Sequence, residues 1–284
     1  MNNDEARNEF ENYLKRRHGD RSTPKHYLSD LKIFVETLNQ KAYDQIESRD
    51  VDRFIEHQQE QSLSAATINR RLASVHTFFE VMAGLEPERP QANPVNWRFH
   101  RVKQAEPIAR DASDAEVAAL FEQITDPRDQ AMFGLMVGAG LRVGEVASLT
   151  MNAMQLPSES GGLARLTVQG KGRKERVVWL TKVWYDKVVA YQAVRPDSED
   201  PHLFLNRQKQ GIGVNGIQSR LQTHCRQAGL RLTCHQLRHT FARRLADQRM
   251  PIESISKVLG HSQIETTQRY TAGADPVLRA EFEA

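Results

Sequence analysis

The pentapeptide HQLRH at residues 235–239 puts two imidazoles and a guanidinium on one helical turn. His235 and His239 stand four apart, on one face, with Arg238 beside them, so the turn can present all three groups to a common oxyanion. The same histidines with Cys234 and Cys225 raise a zinc reading, but the spacing has no compact knuckle and no further cysteine pair completes a tetrahedral set. A helix whose histidines make ordinary packing contacts is the simpler alternative. In GAGLRVGE, Arg142 lies between Gly140 and Gly144. It either pairs with Glu145 or is held to meet a phosphate, whose oxygens match the guanidinium fork. The glycines form neither a GxGxxG nor a GxxxxGK[ST] loop. In QGKGRKER, Lys171 sits between two glycines, as an exposed basic turn or as a mobile ammonium that protonates a departing oxygen. Finally, LGHSQIETTQRY places His261 directly after a helix-ending Gly260 and Tyr270 nine residues further on. Tyrosine is a poor nucleophile at its free pKa of about 10, so it needs cationic neighbours, which the other motifs supply.

The elements that must carry these residues follow from periodicity. The first hundred residues read as helical. Ser22-Thr23-Pro24 starts a helix with Tyr27, Leu31, Phe34, Val35 and Leu38 at helical spacing, and another runs over 49–60. Ser64 caps a third over 65–82, striped by Ile68, Leu72, Val75, Phe78 and Phe79 and ended by Gly84. From Pro87 to Pro107 the chain is polar and proline-bearing without periodicity, a linker or extended crossover whose Arg98, His100, Arg101 and Lys103 can track a phosphate backbone. A helix capped by residues 111–114 runs through Phe121, and a more apolar one follows over 129–140. LARLTVQ and ERVVWL read as strands of a hairpin turning at GKGRK. Helices are expected again over 182–192, 216–229, 235–248 and 251–259. The chain thus divides into a helical domain at 1–103, a linker at 104–112, and a mainly helical domain with a small antiparallel sheet at 113–284.

Composition narrows the function classes. The 284 residues are 39% hydrophobic, enough for two cores. No apolar run is long enough to span a membrane, and the polar, acidic start is unlike a signal peptide, so the expected location is the cytoplasm. With only two cysteines there is no disulfide framework. Residues 1–103 hold 16 basic and 16 acidic side chains, whereas 219–261 hold eight Lys or Arg against Asp247 and Glu253. That excess focuses positive potential toward an anionic partner.

Taken together the motifs resemble the tyrosine recombinase, or phage integrase, family, and most closely its short Xer-like members, along nearly the whole chain. GLRVGE carries the first family arginine at Arg142, and VQGKGRKER the lysine at Lys171. HQLRH carries His235 and the second arginine Arg238, LGHS carries His261, and TTQRY the nucleophile Tyr270. STPKHYLSDLKIFV and SAATINRRLASVHTFF resemble the core-binding helices. The resemblance implies an all-α, SAM-like core-binding domain followed by a mixed catalytic domain, closing as a C-shaped clamp on DNA. It implies that Tyr270 attacks a phosphodiester to give a 3'-phosphotyrosine and a free 5'-hydroxyl. Arg142 and Arg238 would neutralise the phosphate, His261 would add a hydrogen bond, His235 would relay the tyrosine proton, and Lys171 would protonate the leaving oxygen. No cofactor or metal is called for.

The implied partners are double-stranded DNA at specific core sites, a homotetramer on two such sites resolving a Holliday junction, and an optional accessory protein; no membrane is involved. Asn69, Arg70, Gln218, Arg220 and Gln222 are candidates for base contacts, with Arg98, Arg101, Lys103, Arg173 and Arg243 as further DNA contacts. Thr271-Ala272 departs from the Thr-His that usually follows the Xer tyrosine, which weakens assignment to chromosome-dimer resolution. Integration or excision of a mobile element and cointegrate or plasmid-dimer resolution use the same chemistry. A type IB topoisomerase-like activity and a catalytically decayed DNA-binding protein are the alternatives. The tail over 276–282 reads as a small docking helix or a frayed end.

Overall fold

The structure is a computed structural model and describes residues 1–19, 23–86, 92–103, 110–159, 161–170 and 175–260. Lys171, Arg173, His261, Tyr270 and the 276–282 tail lie outside the described residues. The chain divides into two compact units, Met1–Glu106 and Pro107–Ala284.

The first unit is helical. α1 (Asn3–His18) starts from a capping box in which Asn2 and Glu5 each accept the other's backbone N–H. α2 (Thr23–Thr37) and α3 (Ser48–Glu60) follow, then α4 (Ala65–Leu85), which Ser64 caps through a bond from the Thr67 N–H. Gly84 does not end α4: it keeps helical backbone, and the last hydrogen bond runs from the Glu86 N–H to Met82. A helix-ending glycine needs the left-handed region that Gly84 does not occupy. Among the described residues of the aperiodic stretch after Pro87 there is one short helix, α5 (Trp97–His100), capped by Asn96. Phe10, Leu14, Phe34, Phe54, Leu72 and Phe79 fill the core. Phe10 and Phe78 meet edge-to-face at 5.4 Å, as do Phe34 and Phe54 at 5.0 Å.

The second unit is organised around one helix buried on nearly every side. α6 (Asp114–Glu122) is capped by Ser113, and α7 (Pro127–Ala139) follows with Asp126 as cap and Pro127 in its first turn. α7 buries Ala131, Met132, Phe133, Leu135, Met136 and Val137, too many for a single amphipathic stripe, so it is a central helix. Gly140 ends it in the left-handed region, φ 63°, and α8 (Val143–Ala147) begins immediately. The sheet has three antiparallel strands in the order β1 (Met154–Gln155), β2 (Ala164–Gln169), β3 (Glu175–Leu180). The β2–β3 hairpin runs in register from Ala164↔Leu180 to Gln169↔Glu175. β1 is two residues long, which leaves no alternation for a sequence to display.

α9 (Lys182–Val194), α10 (Val214–Gln227), α11 (Cys234–Asp247) and α12 (Ile252–Leu259) are the remaining helices among the described residues. Trp184 of α9 lies against α7 where Gly138 has no side chain; a Cβ there would stand 2.3 Å from the indole Cγ. Ala242 and Ala246 of α11 pack with Ile255 and Leu259 of α12 in a small cluster of their own. No described helix is long and apolar enough to cross a membrane. Cys225 and Cys234 are buried, and burial pushes the Cys234 thiol up to about 11, which keeps that sulfur protonated. Among the described residues no group of three or more His, Cys, Asp or Glu side chains is placed to hold a metal ion, so nothing there supports the zinc reading.

Candidate active site

The centre of the second unit's site is a carboxylate. Glu145, 6% exposed on α8, accepts from the Arg142 backbone N–H at 2.7 Å and from Arg142 Nη1 at 2.9 Å. Arg176 of β3 grips it with both ends of its fork, Nη1 at 2.6 Å and Nη2 at 3.0 Å. Arg238 of α11 stands 3.7 Å from the same group. Burial pushes the Glu145 carboxyl up, but the Arg176 hydrogen bonds, the Arg142 N–H and both positive charges outweigh it, and the pKa lies below the ordinary value. The group is therefore an anion at neutral pH, holding three cations together.

The same three arginines also hold the end of α12. Arg176 Nε donates to the Val258 carbonyl at 3.1 Å, Arg238 Nη2 to Leu259 at 2.7 Å, and Arg142 Nη2 to Gly260 at 3.2 Å. These are three successive carbonyls at a helix C-terminus, where the helix has no N–H left to offer and the dipole is negative. Gly260 turns the chain there with φ 65°. Arg238 Nη1 also donates to the Gly140 carbonyl, so the left-handed end of α7 is part of the same arrangement.

His235 opens α11 at the surface and meets His239 edge-to-face, ring centroids 4.1 Å apart. Desolvation, then the positive charges of Arg238 and Arg142, hold its pKa below the ordinary histidine value. A neutral imidazole beside two guanidiniums can accept a proton. Thus Arg142 is brought to His235 and Arg238, more than ninety positions further along the chain, while Lys171, His261 and Tyr270 lie outside the described residues.

A second buried carboxylate organises α10. Asp129, with no exposed surface, sits in the first turn of α7, where the helix dipole favours an anion. It accepts from Arg128 Nε and Nη2 at 3.0 and 2.8 Å, from Arg220 Nε at 2.6 Å and from His224 Nε2 at 2.8 Å. Burial pushes its pKa up, and the His224 bond, the Arg128 charge and the Arg220 bond bring it net below the ordinary value.

The candidate DNA contacts fall into two groups. Arg98, Arg101 and Lys103 in the first unit and Gln218 and Gln222 on α10 are exposed. The others have partners inside the protein. Asn69 bonds both the C=O and the N–H of Val102, at 2.9 and 3.0 Å. Arg70 pairs with buried Asp30, Arg220 with Asp129, and Arg243 with Asp111, Asp114 and Asp247. His100 is no backbone tracker: it is 2% exposed, accepts from the Asn96 N–H through Nδ1 at 2.9 Å, and contacts Ser48 Oγ at 3.1 Å. Of the eight basic residues at 219–261, Arg220, Arg238, Arg243 and Arg244 pair with carboxylates, most of them remote in sequence, and Arg226, Arg231, Arg249 and Lys257 are exposed.

Arg176, Glu145 as a centre, and Asp129 are what motif reading passed over. A signal for Arg176 existed: strand alternation puts it on the face of Val178 and Leu180, both buried, and an arginine among core positions needs a partner.

Comparison with known proteins gives consistent matches. A family model described as the phage integrase family matches residues 111–276, and the phage integrase N-terminal SAM-like domain matches residues 8–83. The chain is 30% identical over 282 residues to the tyrosine recombinase XerC of Leptospira interrogans serogroup Icterohaemorrhagiae serovar copenhageni (strain Fiocruz L1-130), covering 94% of this chain and 88% of that one. It shares its fold with the XerH site-specific recombinase bound to palindromic difH in a post-cleavage complex: TM-score 0.78, 18% identity, 91% of this chain and 78% of the other. A lambda integrase tetramer bound to a Holliday junction matches with TM-score 0.75 at 14% identity, over 95% of this chain and 77% of that one.

Proposed function

The chain belongs to the phage integrase family, and from that membership we propose that it is a site-specific tyrosine recombinase that breaks and rejoins double-stranded DNA. The observation that carries the reading is the convergence of Arg142 and Arg238 on Glu145, with His235 within reach of their charge, at the end of α12 just before His261 in sequence. Arg142 and Arg238 hold the scissile phosphate and stabilise the charge that develops on it; neither needs reorganising, since Glu145 and backbone carbonyls already orient both. Tyr270 attacks phosphorus, its proton passing to neutral His235, while His261 adds a hydrogen bond and Lys171 protonates the departing 5'-oxygen. The product is a 3'-phosphotyrosine with a free 5'-hydroxyl. The linkage keeps the energy of the phosphodiester, so a second 5'-hydroxyl reverses the step without a nucleotide or a metal.

One exchange of this kind between two duplexes makes a Holliday junction, and a second completes recombination. Four copies of the chain on two sites serve that sequence, in the manner of the lambda integrase tetramer. Residues 1–103 form the core-binding domain and 113–284 the catalytic one, acting in the cytoplasm. Exposed Gln218 and Gln222 on α10 read bases, and exposed Arg98, Arg101 and Lys103 follow phosphates. The biological task is recombination of a mobile element or resolution of a replicon dimer or cointegrate.

The test is covalent capture. The protein is incubated with DNA from its own genomic flanks, nicked just beyond the cleavage position so that the 5'-hydroxyl fragment diffuses away. A denaturing gel should show an adduct at one discrete position, lost in Tyr270→Phe while DNA binding persists. Retained binding with no adduct on any flank would favour a DNA-binding protein without chemistry. Cleavage at scattered positions with relaxation of supercoils would favour a topoisomerase-like activity.

A further inference from the structure

Three arginines surround Glu145, yet the motifs assign chemistry to two. Arg176 differs from Arg142 and Arg238 in that both ends of its guanidinium grip the two oxygens of Glu145. Its Nε is on the Val258 carbonyl, so its hydrogen-bonding directions are largely occupied within the protein. Its side chain is 13% exposed, against 41% for Arg142 and 3% for Arg238, so its bonding and not its burial sets it apart. Its stem also lies against Gly260: a Cβ on that glycine would stand 3.0 Å from Arg176 Cδ.

We propose that Arg176 is a positioning residue of the strand-cleavage reaction, holding Glu145 and the end of α12 so that Arg142 and Arg238 keep their charge for the scissile phosphate. The inference rests on the recombinase reading. A carboxylate with only Arg142 and Arg238 beside it would compete with the substrate for both, because a phosphodiester and a carboxylate ask for the same bidentate geometry. With Arg176 taking both oxygens of Glu145, Arg142 needs to give that carboxylate only one side-chain hydrogen bond, and Arg238 remains 3.7 Å away. Arg176 also joins three elements that the reaction must align. It stands on β3, which follows Lys171 by a few residues in sequence; it binds α8, which Arg142 caps; and it holds the carbonyl two residues before Gly260. Arg176 acts through these neighbours rather than on the phosphate.

The experiment compares wild type, Arg176→Met, Arg176→Lys and the double variant Glu145→Gln/Arg176→Met on the nicked flanking DNA. Single-turnover adduct formation is read together with DNA affinity across a salt series and with thermal melting. Arg176→Met should slow adduct formation about 30-fold, within the range for directly bonded side chains. Its affinity should stay within about threefold and its salt dependence should not change, because no phosphate contact is lost. Removing the charge of Glu145 in that background should restore about tenfold of the rate, which relief of a general folding defect would not do. If Arg176→Met melts below the assay temperature, Arg176→Lys, with the charge but not the fork, carries the comparison and should be slowed about tenfold.

A salt dependence reduced by about one counterion in Arg176→Met would make Arg176 a phosphate contact and overturn the positioning role. So would a double variant no faster than Arg176→Met, or an unchanged rate in both single variants. If wild type forms no adduct on any flank, the recombinase reading falls and takes this role with it. An adduct in wild type with an unaffected Arg176→Met and Arg176→Lys overturns the role of Arg176 alone.

Discussion

Replacing Asp129 by asparagine tests how far a buried charge supports the catalytic unit. The substitution keeps shape and volume but leaves one oxygen where there were two. Asp129 has no exposed surface and accepts four hydrogen bonds, from Arg128, Arg220 and His224. The amide nitrogen cannot accept from any of them, so at least one cationic side chain is left facing a donor. Arg128 and His224 are themselves only 15% and 6% exposed. Removing one partner of such a buried pair costs about 3–5 kcal/mol. For a unit of this size each kcal/mol moves the melting temperature by about 2–4 °C, so the second unit's transition should fall by about 6–20 °C.

The sign with pH is fixed by the depressed carboxyl. Its stabilisation is fully present above the unfolded carboxylate value of about 3.9 and is lost as pH falls through the folded value. Calorimetry of the full chain should therefore show a large gap between wild type and variant at pH 7 that closes as pH falls below about 4. A gap under about 2 °C at pH 7, or one that persists undiminished in acid, would refute the assignment of the cost to the lost charge.

Two other perturbations bear on the site. Gly140→Ala forces a side chain into the left-handed region and toward Phe241, where a Cβ would stand 2.4 Å from the ring. It should destabilise by about 2–4 kcal/mol in calorimetry and slow adduct formation, since the Gly140 carbonyl anchors Arg238. Lys171→Ala should slow cleavage of an ordinary phosphodiester but recover on DNA with a bridging 5'-sulfur, whose departure needs little protonation; equal slowing on both substrates would remove Lys171 from the acid role.

Most of the helices were legible because their caps and stripes are local. Ser64 and Ser113 announce α4 and α6 by residue type, and Ile68, Leu72, Val75 and Phe79 mark the buried face of α4. The two-residue β1 and four-residue α5 were not, since neither is long enough to express a period. Arg142, His235 and Arg238 were singled out by type and spacing, but the gathering of both arginines at Glu145 was not legible, because α8 and α11 are far apart in sequence. The partners of Arg220 and Arg243 were hidden for a different reason. Asp129 and Asp114 lie about ninety and one hundred and thirty positions away, and a running count of charge along the chain treats such pairs as unrelated. A patch that looks electropositive in sequence is therefore partly spent on holding the unit together.

The cage at the end of α12 also has a valence. Among the described residues it combines three guanidiniums with one carboxylate, a surplus of two positive charges. A phosphodiester brings one negative charge, and the five-coordinate species formed when a phenolate adds to it carries two. The surplus of the described cage thus exceeds the charge of a bound phosphodiester and is matched by that of the five-coordinate species, once the tyrosine's proton has passed to His235 as proposed. A site so constituted favours the transient species over either stable end of the reaction, which suits an enzyme that must run the same step forwards and backwards.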